Sequence, residues 1–194
     1  LTYQPPAEFF TRLPTDPSPS SSPVTLTIVT SDLGQFTGPP SPTETDTDII
    51  EIDIESVNDD PTIDPITDPA PIFEDAAAQT VNDFVTNASP GPANESFQTI
   101  ASYVVIEDPA VARTSNLDFV TLPTVTVDPG DPTKGILTYE VVGDRNGTAS
   151  FILQAVDSDG ARSAPQSFVI SVVAVNDEPV FTLASSSANS DEDA

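Results

Sequence analysis

The chain has 194 residues, 31 of them acidic and 5 basic, for a net charge of −26. That balance argues against nucleic acid, which needs clustered Lys and Arg, and against anionic membrane surfaces. The absence of Cys and His excludes thiol and imidazole chemistry and ordinary Cys/His zinc sites, and no apolar run approaches the ~20 residues of a membrane-spanning helix.

Leu1-Thr2-Tyr3 reads as the start of a strand, followed by a Ser/Pro tract over 4–23, a loop or extended segment because Pro supplies no backbone donor. Residues 24–30 read as a strand and 32–48 as a second Pro-rich loop. Residues 49–56 alternate, so that Ile50, Ile52 and Ile54 face a core while Glu51, Asp53 and Glu55 face water. Beyond Val57-Asn58-Asp59-Asp60-Pro61, the prolines 61, 65, 69 and 71 keep the chain extended and suit an edge strand. Residues 76–85 are ambiguous between helix and strand, and the context favours strand. Further strands are expected over 99–106, 119–127, 136–142, 149–156 and 166–175, with turns at 89–92, 128–132, 144–147 and 157–160.

The joint has a second copy, Val175-Asn176-Asp177-Glu178-Pro179, and both copies reach Glu-Asp-Ala after the same interval, at Glu74-Asp75-Ala76 and Glu192-Asp193-Ala194. The repeat length is 118 residues (Val57 to Val175), and Leu1-Thr2-Tyr3 recurs as Leu137-Thr138-Tyr139. Three units follow: the second half of one over 1–58, a complete one over 59–176 and the start of a third over 177–194. The chain therefore reads as a segment of a longer protein. At the repeat offset Ile50, Ile52 and Ile54 meet Phe168, Ile170 and Val172, whereas the outer Glu51, Asp53 and Glu55 meet Val169, Ser171 and Val173. The full unit's last strand is thus apolar on both faces and calls for a cover, a loop or a neighbouring chain. Seven or so short strands per unit with almost no helical periodicity predict an all-β fold of tandem sandwiches stacked end to end.

The joints set the chemistry. Calcium takes six to eight oxygens from carboxylates, Asn side chains and backbone carbonyls. Asn58, Asp59 and Asp60 at the first joint and Asn176, Asp177 and Glu178 at the second offer them, with Glu74, Asp75, Asp157, Asp159, Glu192 and Asp193 as further donors. The competing reading is an Asn-Asp-x-Pro turn with solvated acids. Asp157-Ser158-Asp159-Gly160 is not an EF-hand loop, because the first and twelfth loop positions would be Ala155 and Gln166. Asn87, Asn94 and Asn146 head N-glycosylation triplets, of which Pro90 disfavours the first.

Residues 149–181, from Ala-Ser-Phe-Ile-Leu-Gln-Ala-Val-Asp-Ser-Asp-Gly through Val-Asn-Asp-Glu-Pro-Val-Phe, resemble the C-terminal half of a cadherin repeat, and most of all the cadherin-like, Ig-like repeats of large bacterial surface proteins and adhesins. The resemblance implies Greek-key β-sandwiches with calcium at their junctions. By position, Asp157 would serve the joint before its own unit, at Asn58-Asp59. Asp32 would serve a joint preceding this chain, and Glu74 the joint after its unit, at Asn176-Asp177. The sequence departs from the cadherin linker Asp-x-Asn-Asp-Asn by having Ser56 and Ala174 in place of the first Asp. The mid-repeat Asp-x-Asp is absent, with Asn94-Glu95 the nearest counterpart. Fewer calcium ions per joint are expected than in animal cadherins.

The expected function is a structural spacer or stalk in an extracellular, multi-repeat surface or adhesion protein. Its partners are neighbouring repeats of the same chain, with no nucleic acid and no membrane insertion. The alternative is a segment of an extracellular filament or sheath, packed laterally against other copies through the Pro-rich loops and the apolar strand face. An enzyme, for example a carboxylate-pair glycosidase, is not expected, because the acids gather at turns.

Overall fold

The computed structural model describes residues 2–11, 23–31 and 44–182. It is all-β. Strands β1 (Val24–Ser31) and β2 (Thr45–Ile52) form an antiparallel pair. The remaining strands are β3 (Ile72–Phe73), β4 (Gln79–Val85), β5 (Ile100–Glu107), β6 (Phe119–Asp128), β7 (Asp131–Val141), β8 (Gly147–Asp157) and β9 (Gln166–Val173). They build a four-stranded sheet in the order β3-β9-β8-β5 and a three-stranded sheet in the order β4-β7-β6. One 3-10 turn, Ala93–Glu95, lies between β4 and β5.

The two sheets close on one core. Along β7 and β8 every second residue is buried, from Gly135, Leu137 and Tyr139 to Ala149, Phe151, Leu153 and Ala155, the period-two signature of a strand with one face inward. Aromatic contacts join the sheets: Phe84 of β4 meets Phe168 of β9 edge-on at 5.0 Å, and Phe119 of β6 meets Phe151 of β8 at 5.7 Å. Phe151 in turn stacks on Phe168 at 5.5 Å. The result is a β-sandwich spanning β3 to β9.

The prolines between the first joint and β4 hold the chain extended, and only Ile72 and Phe73 ladder, parallel to Val172 and Val173 of β9. The segment 76–85 is a strand in its second part, with a bulge between Val81 and Val85 where Asp83 takes a positive φ of 53°. β7 starts at Asp131, inside the segment expected to be a turn, because Pro129 and Gly130 suffice to reverse the chain (Asp128 pairs with Asp131). The loop from β5 to β6 is tied by Arg113, which donates to both Glu107 oxygens at 2.7 and 2.9 Å and to Asp118 at 2.8 Å while lying 5.2 Å over the Phe119 ring.

The expectation for the strand over 49–56 is corrected. β2 begins at Thr45, four residues early, and ends at Ile52. Its supposed core residue Ile50 is 46 % exposed, while Ile52 and Ile54 are only half-buried. Alternation marks a face, but among the described residues this hairpin has no second sheet to bury that face against. The outer side of β9 is partly covered: the Val169 amide donates to Asp68 at 2.7 Å and its side chain is half-buried, whereas Val173 remains exposed. Asp32 and the Pro-rich centre of the second loop lie outside the described residues.

Gly135 is buried at the meeting of three strands. A Cβ there would lie 2.9 Å from Val125 Cγ1 and 3.1 Å from both Tyr103 Cε2 and Val85 Cβ. Gly135→Ala is expected to destabilise the unit by ~1–3 kcal/mol, the usual effect of overpacking a dense core, read as a lowered midpoint of thermal unfolding. An unchanged midpoint would show that this core has slack.

Candidate joint sites

The strand directions put two sets of oxygens at opposite ends of the sandwich. At the entry end, the linker 57–61 meets the turn after β8 and the loop between β4 and β5. Asp157 is buried, and its Oδ1 accepts the amides of Asp159, Gly160 and Ala161 at 2.6–2.9 Å, which forms the turn. Its Oδ2 accepts from Asn58 Nδ2 at 3.0 Å. Gln98 Nε2 donates to Asn58 Oδ1 at 2.5 Å and reaches Asp159 Oδ2 at 3.5 Å. Amide N–H groups thus stand against the two carboxylates. Each amide carries an acceptor opposite its donors, so a rotation of Asn58 and Gln98 would present oxygens in the same places.

Glu95 is fully buried beside this network. Its Oε1 accepts from the Asp59 amide at 2.9 Å, while Oε2 has no partner, as is also true of the buried Asn94 Oδ1 and Gln98 Oε1. Glu95 fits only because residue 91 is glycine: a Cβ there would lie 1.9 Å from Oε2. Burial pushes the Glu95 carboxyl above its ordinary 4.5. The Asp59 amide draws it back, and the charges of Asp59, Asp157 and Glu8 push it further up. A cavity of about 230 Å³ adjoins, lined by Glu8, Glu55, Asp59 and Asn94 among others.

At the exit end, Asp75, Asp144 and Asp177 each bring a carboxylate oxygen within 4.8 Å of the others, which could hold a metal ion. They come from the turn after β3, the turn between β7 and β8, and the linker after β9. Asp75 Oδ1 accepts the Asp144 amide at 2.9 Å. Glu74, itself buried, accepts the Val175 amide at 2.6 Å and so grips the start of the linker. The Asp177 carboxyl is pushed above its ordinary value, first by the charge of Asp144, then by desolvation and by Asp75 and Glu74.

The sequence-derived donors therefore divide. Asn58, Asp59, Asp157 and Asp159 gather at the entry end, and Glu74, Asp75 and Asp177 at the exit end. Asp60 turns away to line a separate cavity with Pro61 and Gln166. Glu178 is exposed and outside the three-carboxylate cluster, and the Asn176 amide bonds to its neighbour Asp177's carbonyl at 3.2 Å. Glu192 and Asp193 lie outside the described residues. Of the glycosylation candidates, Asn94 lines the entry cavity with its amide oxygen buried, and Asn146 is half-buried in the β7–β8 turn.

Sequence reasoning missed Asp144, Glu8 and Gln98 as donors and took Glu95 only as a counterpart of an absent motif. A signal for two of them was present. Glu8 and Asp144 each stand five residues after the repeated Leu-Thr-Tyr tyrosine, and both adopt a positive φ, 59° and 55°. They are one position of the repeat, set at successive joints.

Comparison with protein-family models gives no match, and comparison with curated proteins gives none either. Among the described residues no helix is long and apolar enough to cross a membrane.

The raised Glu95 carboxyl has a defined sign. The fold holds this proton more tightly than the unfolded chain does. The associated stability is present below the unfolded value and is lost as pH rises through the folded one. In chelator at pH 7, Glu95→Gln is expected to unfold at least about 2 °C above wild type. The gap should close as the pH falls below about 4.5. Parallel melting of both proteins across that range checks it, and a gap independent of pH would rule out a charged Glu95 as its source.

Proposed function

We propose that the chain is a structural spacer of a multi-repeat extracellular surface or adhesion protein, its joints stiffened by calcium. The observation that carries this reading is the Asp75–Asp144–Asp177 cluster, three carboxylates from separate segments set where the chain leaves the sandwich. None of them has an ion-pair partner in Lys or Arg among the described residues, so their mutual repulsion favours a bound cation. The donors are all oxygen, which suits a hard cation, and their exposed setting on three separate segments suits calcium better than the strict octahedron of magnesium. The mixed carboxylate and amide set at the entry end supports the same role for the other joint.

The strand order, with the exchange of successive strands between sheets and a first strand parallel to the last, supports Greek-key, cadherin-like or Ig-like repeats with a complete unit over 59–176. The filament reading keeps one observation in its favour: Phe73 and Val173, paired at the β3–β9 end, are 63 % and 46 % exposed and offer an apolar spot for lateral contact.

Thermal unfolding of the full chain in calcium, in magnesium and in chelator tests the proposal. A hundredfold excess of calcium over Kd is expected to raise the midpoint by about 5–10 °C. Asp144→Asn and Asp177→Asn should each remove most of the exit-end share. An equal response to magnesium and plain salt would reduce the acids to a solvated surface. Calcium-independent filaments in electron micrographs would favour the lateral reading.

A further inference from the structure

We propose that residues 7–11 form a strap that fixes the first joint without any cation, pinned by Phe10 on Phe97. A linker that is the only connection between two units acts as a hinge. Here three segments meet, and each holds the other two. The strap holds the chain just ahead of the linker: the Thr11 amide donates to the Ile54 carbonyl at 2.8 Å, and the Ile54 amide returns a bond to Thr11 Oγ1 at 2.7 Å. The linker holds the loop after β4 through the Asp59 amide on Glu95 and Asn58 on Gln98. The loop holds the strap: the Phe97 and Phe10 rings meet edge-on, with centroids 6.4 Å apart and planes at 73°.

Burial follows this closure. Thr11 is fully buried and Ser56 nearly so, although both lie in segments without a sheet of their own. A polar residue is buried in such a place only when its groups are satisfied and something covers it. The turn that starts the strap is the one at Glu8, the repeat counterpart of the turn at Asp144. After Asp144 the chain continues Arg145-Asn146, and after Glu8 it continues Phe9-Phe10. The same turn therefore supplies a ring to the first joint and none to the second. The first joint is thus held by packing before any cation binds, whereas the second depends on what its carboxylates bind.

Hydrogen exchange of the full chain in excess chelator tests this. The Thr11, Ile54 and Asp59 amides are expected to exchange at least tenfold more slowly than free peptide. Phe10→Ala and Phe97→Ala should each abolish that protection while the core amides of Phe151 and Phe168 keep theirs, which shows that the sandwich still folds. The double variant should lose no more than either single one, as for a contacting pair. Protection that appears only when calcium replaces chelator would overturn the strap and assign the joint to the cation. Unchanged protection in both single variants would overturn the ring pair as its pin. A wild type that is protected in chelator and indifferent to calcium would sustain the strap while defeating the cation reading.

Discussion

The contact between the two sheets through Phe84, Phe119, Phe151 and Phe168 is the constraint on which the rest of the unit depends. Aromatic pairs bury large areas and prefer edge-on or offset geometry, so this group sets both the spacing of the sheets and their mutual angle. Each of these rings sits on a different strand, and the strands end at the two ends of the sandwich. The positions of the turns at 142–146 and 157–162, and with them Asp144 and Asp157, are consequences of how those rings meet.

Charge is the opposing constraint. With so few cations, the fold has two clasps for its acids among the described residues: Arg113 with Glu107 and Asp118, and Lys134 with Asp83 and Asp131. The first lies in the β5–β6 loop, whose Asn116 accepts the Asn146 amide of the β7–β8 turn, and the second lies beside the β6–β7 turn. The Arg113 hydrogen bonds hold the Glu107 carboxyl below its usual range, and for Asp118 the Phe119 amide and then Arg113 do the same. Beside the two linkers the sign reverses, and Glu95 and Asp177 are pushed upward. The acids clasped by Arg113 and Lys134 are electrostatically settled, and those beside the linkers are not.

The strands from β5 to β9 are legible in the sequence to within a few residues, because half-buried strands write their inward face at every second position and the turns between them carry Asn, Asp and Gly. The half-unit reads less well. Ile50 has the right neighbours for a core residue, but alternation says nothing about whether a second sheet exists to receive it. The joints are legible only in part. Asn58, Asp59 and Asp177 announce themselves by repetition. Asp144 carries a repeat signal, five residues after Tyr139, but its grouping with Asp75 and Asp177 follows from the strand directions, since these decide which turns share an end. Glu95 and Gln98 need more still: their place depends on the path of a loop and on the missing side chain of Gly91, and no spacing rule encodes that.

The pairing of β3 with β9 also determines how the unit carries load. The two strands run in the same direction, joined at Ile72–Val172 and Phe73–Val173 and continued by the Glu74 amide on the Val173 carbonyl. A pull on the chain before β3 and after β9 therefore acts along the strands, across these bonds, and strains them together, in shear, instead of opening them one at a time like a zipper. The grip of Glu74 on the Val175 amide lies on the same line of force. Tension on the linker is thus shared between the edge of the sheet and the acidic joint, and the element that ladders least in the fold is the one set to resist stretching.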